Sequence, residues 1–177
     1  MKILAISGSL RAASLNSALL RATARIAPSD ICIQVSRCIA DLPLFNPDLE
    51  SDYPAPVVVL RSLLLAADAV LIASPEYAHG VTGAIKNALD WMVGNESLLG
   101  KPVALLNTSP RAVHAQAALR ETLVTMSARV VGEACITLPI LGSGLNEDGI
   151  VRHPEIRAAL FGALRALHVA VCSPRVA

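Results

Sequence analysis

Apolar and polar positions alternate between two periods along this chain. Lys2-Ile3-Leu4-Ala5-Ile6 is a short apolar run that predicts a buried strand. Leu15, Ala18, Leu19, Ala22 and Ile26 then recur at helical spacing. Pro28-Ser29-Asp30 breaks that helix, and the alternation of Ile31, Ile33 and Val35 predicts a second strand. Val57 to Ala67 reads as a helix with Leu60, Leu63, Leu64 and Ala67 on one face, and Ala69-Val70-Leu71-Ile72-Ala73 as a strand buried on both faces. Val81, Ala84, Ile85, Ala88, Leu89 and Met92 form the next helical stripe, with Thr82, Lys86, Asn87 and Asp90 off it. After Gly100 and Pro102, Val103-Ala104-Leu105-Leu106 predicts a fourth strand, and Ala115, Ala118, Leu119, Thr122, Leu123 and Met126 a further helical face. Val130-Val131 and Ala134-Cys135-Ile136-Thr137-Leu138 suggest one fifth strand. Gly142-Ser143-Gly144 and Asn146-Glu147-Asp148-Gly149 carry turn chemistry. Pro154 suits the first turn of a last helix lined by Ile156, Ala159, Leu160, Ala163, Leu164 and Leu167.

Strands alternating with helices predict an α/β fold, a doubly wound parallel sheet. Five strands suggest the flavodoxin-like order 2-1-3-4-5, with 1–177 as a single domain. Ligands of such sheets sit beyond the carboxyl ends of the strands, where the strand order reverses between strands one and three. The Ser9–Asn16 turn follows strand one and the Pro75–Gly80 loop follows strand three, so the two should face each other across one crevice. The Asn107–Arg111 loop should lie beside the second.

The first of these loops carries anion chemistry. A strand-to-helix turn presents free backbone N–H groups and the positive end of a helix dipole, which together favour a phosphate. Gly8 permits a tight turn, Ser9, Ser14 and Asn16 add uncharged donors, and Arg11 adds a planar cation. Ser14 equally suits a helix cap, and Arg11 a solvated position. The turn is neither a Walker A sequence nor GxGxxG. Between strand two and the next helix, four prolines punctuate Leu42–Pro56. That connection is long for its place, and loops of that kind are often functional.

Composition narrows the partners. At 54 % hydrophobic and 16 % charged residues the chain has material for a large core. A net charge of +1 offers no general attraction for nucleic acid. No apolar run is long enough to span a bilayer, and no signal-peptide pattern opens the chain, so a cytoplasmic protein is expected. Cys32, Cys38, Cys135 and Cys172 are scattered without CxxC or zinc spacing, and His79, His114, His153 and His168 make no metal set.

Two segments together carry a resemblance. Gly8-Ser9-Leu10-Arg11 with Ser14 and Asn16 resembles the GSxRxxSxN signature of the NADPH-dependent FMN reductase family, which includes chromate, quinone and some azo reductases. Ser74-Pro75-Glu76-Tyr77 followed by Gly83-Ala84-Ile85-Lys86-Asn87-Ala88-Leu89-Asp90-Trp91 resembles that family's PEYN…LKNAIDW segment. The resemblance implies that Ser9, Arg11, Ser14 and Asn16 hold the FMN phosphate. It implies that Pro75, Glu76, Tyr77 and Ala78 lie along the isoalloxazine, partly through backbone groups, and that Ser109 touches the flavin. It also implies a homodimer or homotetramer, with Lys86, Asn87, Asp90 and Trp91 near a subunit contact; Trp91 suits an interface or the core. Two departures stand out: Ala78 replaces a frequent Asn, and the Ser109–His114 loop is short and lacks glycine.

The expected activity is an FMN-dependent NAD(P)H oxidoreductase. NADPH or NADH would supply electrons to a small acceptor: a quinone, an azo compound, a metal oxyanion or free flavin. The cofactor does such chemistry and the protein orients it, so no catalytic side chain is named. The alternatives are a flavodoxin-like electron carrier, a class whose strong acidity this chain lacks, and an α/β binding or regulatory module without flavin.

Overall fold

The computed structural model describes residues 1–173. The strands are β1 (Lys2–Ser7), β2 (Cys32–Ser36), β3 (Ala69–Ala73), β4 (Pro102–Asn107), β5 (Arg129–Val130) and β6 (Ile136–Thr137). The helices are α1 (Leu15–Ile26), α2 (Ala55–Ala66), α3 (Gly83–Asp90), α4 (Val113–Thr125), α5 (Glu147–Arg152) and α6 (Pro154–Cys172). The sheet is parallel in the order β2-β1-β3-β4-β5, with β6 also pairing β4.

Successive residues of the central strands enter opposite cores, as the period of two in a strand requires. Ile3, Ala5, Leu71, Ala104 and Leu106 face one core, completed by Leu19 of α1 and Leu160 and Leu164 of α6. Leu4, Ile6, Val70, Ile72 and Leu105 face the other, completed by Leu60 of α2, Ile85 of α3 and Leu123 of α4. Both faces of the sheet are thus covered, and β3 and β4 are buried at every position, apolar throughout except for Asn107 at the end of β4.

Three sequence expectations change. The fifth strand is two strands. Val103 of β4 faces Val130 while Leu106 faces Ile136, so three more residues lie on the partner side over that span. They form a one-turn 3-10 helix at Gly132–Ala134. Gly132 and the exposed Glu133 interrupt the apolar run, and a glycine inside a strand pattern is a bulge signal. Asn146–Gly149 is helical: Asn146 Oδ1 accepts the Gly149 N–H at 2.9 Å, and Glu147 and Asp148 occupy the favourable N-terminal turn of α5. Thr82 is buried as the N-cap of α3.

Side chains of α3 order the long proline-rich connection. Asn87 accepts the Phe45 N–H at 2.8 Å and donates to the Pro43 carbonyl at 2.9 Å. Trp91 Nε1 donates to that same carbonyl at 2.8 Å, and the Phe45 ring meets the Trp91 ring edge-on at 5.1 Å. Trp91 is fully buried, and Lys86 pairs with Asp90 one turn apart. Within this chain, Asn87 and Trp91 therefore have structural partners of their own.

Candidate active site

Gly8 sits where β1 ends and β3 begins to turn away. Its N–H donates to the Ala73 carbonyl at 2.8 Å. A Cβ there would lie 2.2 Å from Ser74 Oγ, so only glycine lets the two loops approach. Thr82 Oγ1 donates to the Gly8 carbonyl at 2.6 Å, tying the first loop to the start of α3. The sequence reading placed Thr82 off the core stripe; its capping position was the available signal.

Beyond Gly8 the chain turns into α1. Ser14 is the N-cap, its Oγ accepting the Ser17 N–H at 3.3 Å. The N–H groups of Leu15 and Asn16, in the same first turn, donate to no acceptor among the described residues. Arg11 is exposed and, among the described residues, makes no ion pair or hydrogen bond through its guanidinium. Two free N–H groups, a helix N-terminus and an unpaired guanidinium together form an anion cradle. Asn16 is buried, its Oδ1 accepting the Thr108 hydroxyl at 3.4 Å, which joins α1 to the loop after β4.

The other two loops close the crevice. Glu76 Oε2 accepts the Ala115 N–H at 2.8 Å and so caps the first turn of α4 from a different loop. Its other oxygen lies 3.7 Å from His79 Nδ1, and the His79 ring meets that of His114 edge-on at 4.5 Å. Tyr77 and Gly80 exchange backbone hydrogen bonds of 3.1 and 2.9 Å around Ala78 and His79, whose φ values are 50° and 59°. Positive φ at both central residues is the geometry of a type I′ turn, in which Asn or Gly is favoured. After β4, Asn107 Oδ1 accepts the Ser109 N–H at 3.1 Å and Ser109 Oγ the Arg111 N–H at 3.3 Å. Side-chain turns thus hold this loop without a glycine.

A cavity of about 340 Å³ lies between the three loops. Ser9, Arg11, Ser14, Asn16, Pro75, Glu76, Tyr77 and Ser109 all line it. Ala78 stands off its wall, at the exposed tip of the turn. The sequence reading left out Thr108 and Leu141 from the lining. Thr108 followed from the loop after β4, whereas Leu141 arrives from beyond β6 with no local signal. Tyr77 is 58 % exposed beside this opening, an aromatic face held out by the turn behind it.

A model of the NADPH-dependent FMN reductase family matches residues 1–140. The chain belongs to that family. It is 32 % identical over 175 residues to the NAD(P)H-dependent FMN reductase of Pseudomonas aeruginosa, covering 96 % of this chain and 94 % of that one. It is 36 % identical over 141 residues to the quinone reductase of Escherichia coli K12, covering 75 % and 74 % of the two chains. Among solved structures, FerB, the flavoenzyme NAD(P)H:(acceptor) oxidoreductase of Paracoccus denitrificans, superposes with a TM-score of 0.72 at 27 % identity, over 96 % of this chain and 98 % of that one. This protein is accordingly an FMN-dependent NAD(P)H oxidoreductase with a small-molecule acceptor.

The residues present fit FMN. The cavity has the size and mixed lining of a cofactor site. Arg11, Leu15 and Asn16 line it together, and their free N–H groups and guanidinium suit a single phosphate. The Pro75–Tyr77 and Asn107–Ser109 backbones flank the rest. No carboxylate other than Glu76 lines the cavity, and Glu76 is engaged with the Ala115 N–H.

Proposed function

We propose that the acceptor is a quinone, reduced in the same crevice in which NAD(P)H is oxidised, and that Ser9, Arg11, Ser14, Asn16, Pro75, Glu76, Tyr77, Ala78 and Ser109 form the flavin site. Bound FMN supplies the two-electron relay that neither the donor nor any side chain here can replace. The cradle at Arg11, Leu15 and Asn16 holds the phosphate and sets the position of everything attached to it. Thr82 and Asn16 brace that cradle against the other two loops through Gly8 and Thr108. Glu76 serves by fixing α4, and it moves no proton. Tyr77 offers an exposed aromatic face on which a flat substrate can stack, an arrangement worth roughly 0.5–1.5 kcal/mol beyond area burial.

The single observation that supports this reading is one open crevice of about 340 Å³ bounded by three loops. Donor and acceptor then occupy it in turn. One NAD(P)H gives two electrons and one proton, and a quinone with one further proton from solvent leaves as the hydroquinone. The test is initial-rate kinetics of the FMN-loaded protein with NADPH and benzoquinone both varied. Parallel reciprocal plots are expected, and intersecting plots would show that both substrates bind together. The remaining parts of the proposal are that 1–177 forms one FMN-binding domain, that the protein is a homodimer or homotetramer, and that it works in the cytoplasm. The absence among the described residues of any helix long and apolar enough to cross a membrane is compatible with that location.

A further inference from the structure

Leu141 lines the crevice yet is 54 % exposed, as Tyr77 is on the other side. A lone exposed leucine on an open surface needs no explanation. One on the wall of a ligand cavity is apolar surface left for a ligand to cover. Leu10 and Val113 are exposed as well, but they open onto neighbouring hollows. Leu141 and Tyr77 reach the crevice from opposite faces of the sheet. The segment after Leu141 leads into α5, which Glu147 and Arg21 tie to α1, whereas Tyr77 leads into α3.

The backbone fixes Leu141 in that place. Its N–H donates to the Thr108 carbonyl at 2.9 Å, and the Ile140 N–H donates to the same carbonyl at 3.2 Å. The Ile140 side chain is fully buried, which anchors the segment. Ser143 Oγ donates to the Ile140 carbonyl at 2.7 Å. Gly142, with φ at 87°, turns the chain away directly after Leu141. Apolar surface held still in this way binds with little ordering cost.

The polar groups beside Leu141 are already committed. The Thr108 carbonyl takes the two N–H groups just named, and the Thr108 hydroxyl donates to Asn16 Oδ1. Asn107 Oδ1 accepts the Ser109 N–H, and Asn107 Nδ2 donates to Thr137 Oγ1 at 3.5 Å. What this wall offers a ligand is therefore apolar contact. None of Leu141, Thr108 and Asn107 belongs to the flavin set proposed above.

We infer that Leu141 is a specificity-determining residue: with Tyr77 across the crevice it receives an alkyl substituent of the acceptor, so that quinones carrying an apolar chain are preferred to the bare ring. The inference rests on the quinone reading of the acceptor.

The test uses FMN-loaded protein and two probes, tetramethyl-1,4-benzoquinone and its analogue with one methyl replaced by pentyl. Their rings are electronically alike and carry no open position for thiol addition. Dissociation constants are read from the flavin absorbance of the oxidised protein, and kcat/KM is measured with NADPH. The pentyl compound should bind about tenfold more tightly and show a similar advantage in kcat/KM, the four added methylenes being covered on one side only. That ratio should fall to about threefold or less in Leu141→Ala and be largely kept in Leu141→Met, which preserves apolar volume. FMN affinity should be unchanged in both variants. Equal binding of the two probes by the unaltered protein, or a preference that survives Leu141→Ala, overturns the inference. Weaker FMN binding by Leu141→Ala also overturns it, since Leu141 would then belong to the flavin site. If neither probe is turned over, the quinone reading falls, while a pentyl preference in binding that Leu141→Ala removes still supports the apolar wall.

Discussion

Arg11 is where the proposed phosphate cradle can be tested most directly, because it lines the cavity from the helix-start turn and its guanidinium has no partner among the described residues. Charge-assisted hydrogen bonds contribute roughly 1.5–3 kcal/mol each. Arg11→Ala should therefore weaken FMN about tenfold to a hundredfold, as read by fluorescence titration. Riboflavin lacks the phosphate, so its affinity should hardly change, and a variant that weakens both alike is misfolded. The N–H groups of Leu15 and Asn16 remain, so binding is reduced and not lost. Ala78 is a second residue with a measurable cost. It holds φ at 50°, where a Cβ is unfavourable. Ala78→Asn should raise unfolding stability by about 1 kcal/mol, measured in denaturant, because asparagine tolerates the left-handed region. No gain would show that the turn is relaxed as it stands.

Among the elements, α3 and its loop form one unit. Asn87→Ala removes the acceptor for the Phe45 N–H and one of the two donors to the Pro43 carbonyl. Leaving such groups unsatisfied costs roughly 1–3 kcal/mol. The expected result is lower stability together with faster proteolytic cleavage between Leu42 and Tyr53; unchanged cleavage would mean that Trp91 alone suffices to hold the segment. The seam between α1 and α5 is electrostatic. Arg21 and then Arg25 hold the Glu147 carboxyl below its usual 4.5, and Arg25 holds that of Asp148 below 3.8. A carboxyl with a lowered folded pKa stabilises fully above its unfolded value and loses that contribution as pH falls through the folded one. The seam is solvent-exposed, so its contribution is small and screened by salt. Replacing Glu147 and Asp148 by Gln and Asn should lower the melting temperature slightly at pH 7. The difference from the unaltered protein should shrink as the pH is taken below about 4. A difference that persisted in acid would have to come from packing or helix capping.

At the scale of the whole molecule, several large apolar side chains remain uncovered. Leu44 is 84 % exposed and Val93 64 %, on the segments around α3. Within one chain Asn87 and Trp91 are satisfied by the Pro43–Phe45 segment, so any subunit contact would use what that segment presents outward. Light scattering of the FMN-loaded protein should give a dimer or tetramer mass. A monomer with full flavin occupancy and activity would show that the crevice is complete in one chain.

The sequence by itself determined the elements that depend on local order. The two-core period of β1, β3 and β4, the helical stripes of α1 and α6, and the Gly8 turn are statements about neighbours a few positions apart. From them followed the parallel sheet, the strand order and the convergence of three loops, which brought together eight of the named site residues. Family membership was legible for the same reason, since both motifs are continuous stretches. Only the tertiary structure decided the rest. The split of the last strand depends on which residues of β4 are still free to pair, not on the apolar runs either side of Gly132 and Glu133. Thr82 reads as a polar break in a helical stripe until it meets the Gly8 carbonyl, which is 74 residues away. That Glu76 also caps α4 shows only when the Ala115 N–H is found against it. Each of these outcomes is set by a partner distant in sequence. Periodicity reports which face a residue presents, whereas hydrogen bonding and charge pairing depend on what the fold brings to that face.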